Sequence, residues 1–294
     1  MEKDTKIDMV DEELKQIMNL LGMTCKINES HHLYIDGVAC VGKTESIRRL
    51  EESQQIPSSY NDLSEICRYI YSGFSDKNNC TVSQSVFNLL NIYWVPKHEC
   101  SIVDRSPLTD LWYSIILKVL HAMQEEESKV SHLVVGSSLK DYMEFVENFL
   151  LWKGKKTAKE HLEKLLFFNN NNKYINYNNY NNNNNYNKIL MNILKRILST
   201  CKTLVVIPHY DHIPQILEKM KYRNNNIDIL VSLYVYAQII VFHSLQEFYD
   251  LPNFEFYNIN SNIKLYTDEH LENLKKVILR LYHKQMIATD IVDG

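Results

Sequence analysis

Glycine is scarce in this sequence. Seven glycines among 294 residues are about a third of the usual share near 7 %, so each one that is kept marks a place where a side chain is hard to accommodate. The six cysteines (Cys25, Cys40, Cys67, Cys80, Cys100, Cys201) form no CxxC pair and no Cys/His cluster of metal-ligand spacing. That excludes a zinc module and a disulfide scaffold, and it suits reduced thiols. No run of about 18 apolar residues is present, which excludes a hydrophobic spanning helix. The opening MEKDTKIDMVDEE lacks the apolar centre of a signal peptide. A net charge of −4 and a pI near 6.3 give no general attraction to nucleic acid or anionic membrane, so any anion site must be local. The expectation is an intracellular soluble protein, cytoplasmic or nuclear, with neither nucleic acid nor membrane as partner.

What is present is ordinary globular material: 45 % hydrophobic and 23 % charged residues, in a length that suits one large α/β domain or two small ones. Short apolar runs at 31–36, 55–59, 101–104, 203–208 and 254–259 read as strands. Helical spacing occupies roughly 10–22, 43–53, 81–95, 107–124, 139–152, 211–222, 228–248 and 268–286. Strands that alternate with helices predict a parallel sheet of about five strands covered on both faces. Residues 169–187 (NNNNKYINYNNYNNNNNYN) carry too little apolar surface to offset the entropy of ordering, and read as a disordered surface insertion. The basic stretch Lys153, Lys155, Lys156 and Lys159 reads as a solvated face.

The strongest chemical signal follows the first strand. Gly37-Val38-Ala39-Cys40-Val41-Gly42-Lys43-Thr44 matches GxxxxGK[ST], with HHLYID before it and the helical pattern ESIRRLEE after it. Such a loop turns backbone N–H groups inward, and the helix N-terminus adds partial positive charge, so together they cradle phosphates. Lys43 is placed to reach the β- and γ-phosphates of ATP and Thr44 to ligate Mg²⁺.

A second motif, Asp104-Arg105-Ser106-Pro107, ends the SIVD strand at the sheet edge where ligands bind. A GTPase would carry DxxG here and NKxD later; neither is present. An acid followed directly by an arginine suits a kinase, with Asp104 supporting the metal and Arg105 neutralising the transferring phosphoryl group.

With these blocks in hand, the chain resembles the deoxynucleoside kinases, including the herpesvirus-type thymidine kinases. Strand–GxxxxGKT–helix, then SQSVFNLLNIYWV, then SIVDRSPLTDLWY, and later TLVVIPHYDHIPQILEKMKYRNNNIDILVSLYVYAQIIVF carry the likeness. The matching blocks span roughly 30–115 and 200–260. The resemblance implies a single P-loop kinase domain over 1–294, with residues 1–29 as a helical extension and 208–226 as a lid. It implies that Gln84 reads the base and that Asp110 helps shape the base pocket. It also implies that Lys219, Lys221 and Arg223 close over the donor phosphates. Tyr60, Phe87, Trp94, Trp112 and Tyr113 surround these motifs; Phe87 and Tyr113 are the candidates to stack on a base, the others reading more as core.

The likeness has departures. The family's loop usually has another glycine where Cys40 stands, which narrows the room for the backbone to turn. The family's Glu-Pro, whose glutamate takes the proton of the nucleoside 5′-hydroxyl, is replaced by IPSSYNDLSE. Asp62 is then the candidate general base, Glu65 the second, and a helix N-cap is an equally simple role for Asp62. The family acid that holds the sugar 3′-hydroxyl falls in the NNN of 224–226, with Asp228 nearby. The implied activity is ATP-dependent transfer of the γ-phosphoryl group to the 5′-hydroxyl of a deoxynucleoside, thymidine first, with Mg²⁺. A thymidylate-type monophosphate kinase usually has Asp-Arg-Tyr at this strand end. A catalytically degenerate nucleotide-binding interaction protein is the other alternative, and a homodimer is open. Asparagine bias with a herpes-like pattern points to a virus or an AT-rich genome.

Overall fold

The computed structural model describes residues 32–60, 101–106, 108–130, 139–166, 198, 201–223 and 231–290. The apolar runs form strands β1 (Leu33–Gly37), β2 (Ser58–Tyr60), β3 (Ile102–Asp104), β4 (Lys202–Pro208) and β5 (Phe254–Ile259). β1 is buried at every position and β4 at all but its first. That continuous burial belongs to strands covered on both faces, where period-two alternation is lost. The sheet order is β2-β3-β1-β4-β5 and each pairing is parallel. β1 is therefore central, and the carboxyl ends of β1, β3 and β4 meet at the edge where the strand order reverses, the usual ligand crevice of an open parallel sheet.

The strands are covered by helices α1 (Lys43–Gln54), α2 (Thr109–Val130), α3 (Leu139–Leu166), α4 (Ile213–Arg223), α5 (Ser232–Phe248) and α6 (Asp268–Asp290). α5 is the most enclosed, with Val235, Ile239, Ile240, Val241, Phe242 and Leu245 all removed from solvent. Burial of a side chain such as Phe242 contributes about 1.5–3 kcal/mol. Helices α2, α3 and α5 meet at Gly154, where a Cβ would lie 2.8 Å from Ile240 Cδ1 and 3.0 Å from Met123 Sδ. A Cβ there would have to push those two side-chain ends aside.

The elements differ from the sequence pattern mainly at their ends. Gln55, expected to open β2, closes α1 instead: its N–H donates to the Glu51 carbonyl at 3.0 Å, and its φ of +55° is the left-handed conformation that ends a helix. β2 consequently begins at Ser58. α3 runs on to Leu166 through the four lysines, which are good helix formers. Their charges are partly met: Lys153 Nζ lies 3.2 Å from Glu126, Lys159 Nζ 3.9 Å from Glu163, and Lys156 stands over the Trp152 ring. A 3₁₀ turn (Tyr210–His212) precedes α4, and α5 is described from Ser232, with Val231 extended before it; the expected start at 228 lies outside the described residues. The patterns at 10–22 and 81–95 and the insertion 169–187 lie outside the described residues. Among the described residues no helix is long and apolar enough to cross a membrane.

Candidate functional site

The loop after β1 turns sharply because its glycines permit it. Gly37 has φ +117°, and a Cβ there would stand 2.2 Å from the Val206 carbonyl oxygen. Gly42, at φ +84°, delivers the chain into α1. Cys40 adopts φ +54° between them, so the loop takes the left-handed turn despite the side chain, at about 1 kcal/mol of strain. Three outside contacts hold it there. Val38 N donates to the Val206 carbonyl at 3.1 Å, Ala39 N donates to Gln238 Oε1 at 2.9 Å, and the Tyr266 hydroxyl donates to the Cys40 carbonyl. Val41 is fully buried under the loop.

Lys43 and Thr44, the first residues of α1, face this loop from its far end. The Lys43 ammonium donates to the carbonyls of Val38 at 2.6 Å and Gly37 at 3.3 Å. Burial lowers its pKa to about 8, against the opposing pull of Asp104. Thr44 Oγ1 donates to Asp104 Oδ2 at 2.5 Å across the gap between α1 and β3. A hydroxyl and a carboxylate brought together beside a phosphate loop are hard oxygen donors, a set that fits Mg²⁺. Among the described residues there is no cluster of three or more His, Cys, Asp or Glu that could hold a metal ion.

Arg105 follows at once, with φ +88°, far from the conformation an arginine ordinarily adopts. Its N–H donates to the Ile35 carbonyl at 2.9 Å, and its guanidinium stands 5.9 Å from the Tyr113 ring centre. Beneath it lies a group that the sequence pattern did not single out. Asp36, 1 % exposed, accepts from the Ser106 hydroxyl and, at 3.0 Å, from Thr109 Oγ1. Burial pushes its carboxyl above the usual carboxylate range, while the Ser106 bond and the Lys43 charge pull the other way. Its signal was its place, an acid one residue before the first loop glycine. Gln238 was legible only as a lone amide in an apolar helix, and Tyr266 carried no signal.

Lys219, Lys221 and Arg223 are carried by α4, whose Ile213, Ile216 and Met220 are buried. Arg223 donates to Cys40 Sγ at 3.4 Å and Lys219 stands 5.3 Å from the Tyr266 ring centre; Lys221 is exposed. The segment after β5 completes this side. Leu265 N donates to Gln215 Oε1 at 3.1 Å, and Tyr266 N donates to His270 Nδ1 at 3.1 Å.

The residues expected on the acceptor side are described less fully. Asp62, Glu65, Gln84, Phe87, Trp94 and Asp228 lie outside the described residues. Asp110 falls in the first turn of α2, its side chain outside them too. Trp112 is core, fully buried and edge-on to Phe254 at 6.4 Å. The Tyr60 hydroxyl donates to Glu51 at 2.7 Å, with Arg48 over its ring. Among the described aromatics of that set, Tyr113 stands beside Arg105, and Tyr60 is the register partner of Asp104 across β2 and β3.

Sheet order, central loop and the Thr44–Asp104 pair together place a GxxxxGKT loop at the carboxyl edge of a parallel α/β sheet. No family model and no curated protein matches the chain. Among solved structures, the tRNA isopentenylpyrophosphate transferase of Bacillus halodurans aligns at 12 % identity and a TM-score of 0.36, over 90 % of this chain and 100 % of its own. Values that low bear on neither fold nor chemistry, which rest on the geometry above.

Proposed function

We propose that the chain is an ATP-dependent phosphotransferase acting on the 5′-hydroxyl of a deoxynucleoside, with thymidine as the first substrate. The observation that carries this reading is the contact of Thr44 with Asp104, one residue before Arg105, at the mouth of the phosphate loop. The likeness of GVACVGKT and SIVDRSPLTDLWY to the deoxynucleoside kinases supports the acceptor assignment.

In this reading the loop N–H groups and Lys43 hold the β- and γ-phosphates of ATP, Lys43 exchanging its loop carbonyls for phosphate oxygens. Thr44 and Asp104 would hold Mg²⁺, which when bound neutralises phosphate charge. The acceptor 5′-oxygen forms the new bond to the γ-phosphorus as the bond to the β,γ-bridging oxygen breaks, and the hydroxyl proton passes to a carboxylate, Asp62 by spacing. Arg105 meets the charge that spreads over the transferring group. Arg223 and Lys219 come with α4 to exclude water, since hydrolysis of ATP competes.

The strained Cys40 favours a second reading, a chain that binds nucleotide without turnover. A panel of the four deoxynucleosides with Mg²⁺ and γ-labelled ATP separates the two. Label on a deoxynucleoside 5′-monophosphate is expected, thymidine leading. Nucleotide binding with no product on any of the four would leave only the binding protein, and label that enters only with thymidine monophosphate as acceptor would assign a thymidylate kinase. Lys43→Ala is expected to abolish turnover while the circular dichroism spectrum stays that of the parent.

A further inference from the structure

The donor loop and the arginine of the second motif hang from one buried side chain. Asp36 is the last residue of β1 before Gly37, so its backbone is continuous with the phosphate loop. Its two carboxylate oxygens reach the other way, to Ser106 and Thr109. Ser106 is itself a junction. Its hydroxyl donates to Asp36 and accepts from Leu108 N at 3.1 Å, and its carbonyl accepts from Thr109 N at 3.1 Å. All three side chains are about 1 % exposed. Between these anchors and the Ile35 carbonyl, Arg105 is pinned in a left-handed conformation that an L side chain leaves when released. A wholly buried carboxylate is costly where packing is the only gain, because an apolar residue of like size fills the same space without desolvation.

We infer that Asp36 is a positioning residue: by accepting from Ser106 and Thr109 it fixes the backbone at Arg105, and so sets the guanidinium at a constant reach from the phosphate loop. This rests on the phosphotransferase reading above. It assigns the distance between donor site and phosphoryl-neutralising arginine to a group that touches neither ATP nor acceptor.

The test compares variants in the full chain with Mg-ATP and the deoxynucleoside that turns over best. Asp36→Asn is expected to lower kcat on the order of a hundredfold, the scale of loss for a catalytic group displaced by about 1 Å. Its affinity for ATP, read by displacement of a fluorescent nucleotide, stays near the parent's because the hydrogen bonds that shape the loop and hold Lys43 go to other groups. Ser106→Ala lowers kcat likewise, and the double variant falls no further than the worse single one, since both remove the same contact. Thr109→Ser keeps the parent kcat while Thr109→Val loses it. An unchanged kcat in Asp36→Asn, loss of ATP affinity in step with kcat, or additive losses in the double variant would each overturn the assignment. If Asp36→Asn does not fold, Ser106→Ala and the Thr109 pair decide. If the parent chain phosphorylates no deoxynucleoside, the phosphotransferase reading falls by itself. Placement is then read from the ¹⁵N NMR signal of the Arg105 Nε–H, assigned by its absence in Arg105→Lys: a shifted or broadened signal in Asp36→Asn supports the anchor, and an unmoved one refutes it.

Discussion

Cys40, Arg105 and Tyr266 all hold left-handed backbone angles, and all three stand at or against the phosphate loop. Strain of this kind persists where surrounding contacts over-determine the chain, and it gathers at sites whose geometry is used. Cys40 offers the simplest test, because glycine at that position keeps the turn and removes the penalty. Cys40→Gly is expected to stabilise the protein by about 1 kcal/mol, raising the thermal midpoint by roughly 2–4 °C for a chain of this size. The lost Arg223–thiol hydrogen bond is exposed and subtracts little. Turnover is expected to hold, so calorimetry and the kinase assay together check the point.

At the scale of elements, GVACVGKT and SIVD were legible because their chemistry is local: each motif sits at the end of its own strand. The buried strands could be read as apolar runs for the same reason. The end of α1 could not, since Gln55 closes the helix by a conformation that its side chain does not announce. Nor could the braces on the loop, which come from residues far along the chain, Gln238 in α5 and Tyr266 before α6. Gln238 gives a prediction in which stability and binding part company. Its Oε1 satisfies Ala39 N–H, yet its Nε2 finds no partner among the described residues. Gln238→Leu exchanges one orphaned donor for another, so unfolding free energy should change by no more than about 1 kcal/mol. Nucleotide affinity should fall several-fold, because the loop loses a brace; titration calorimetry beside thermal melting reads both.

For the whole molecule, the buried imidazole of His270 links acid stability to the site. Burial, with His212 nearby, lowers its pKa to about 4 from an ordinary 6.5. The unfolded chain therefore takes up this proton first. The stability that His270 contributes is full above about pH 6.5 and is lost as pH falls toward 4. Protonation also removes the acceptor of the Tyr266 N–H, next to the loop. His270→Asn, whose amide oxygen can accept that N–H without titrating, should flatten the fall of the thermal midpoint between pH 6.5 and 4, as melting curves across that range will show.

The central place of β1 also governs the order in which the chain can mature. Gly37 pairs with Val206, and Val38 and Ala39 lean on Val206 and Gln238. The loop thus lacks its β4, α5 and Tyr266 braces until those later residues have been made, and closure over so long a separation is slow. During synthesis the complete GVACVGKT segment waits, without those braces, for most of the protein to follow. On the proposed function, a chain ended at residue 200 would carry every residue of the motif and, in a nucleotide-binding assay, bind ATP far more weakly than the whole chain.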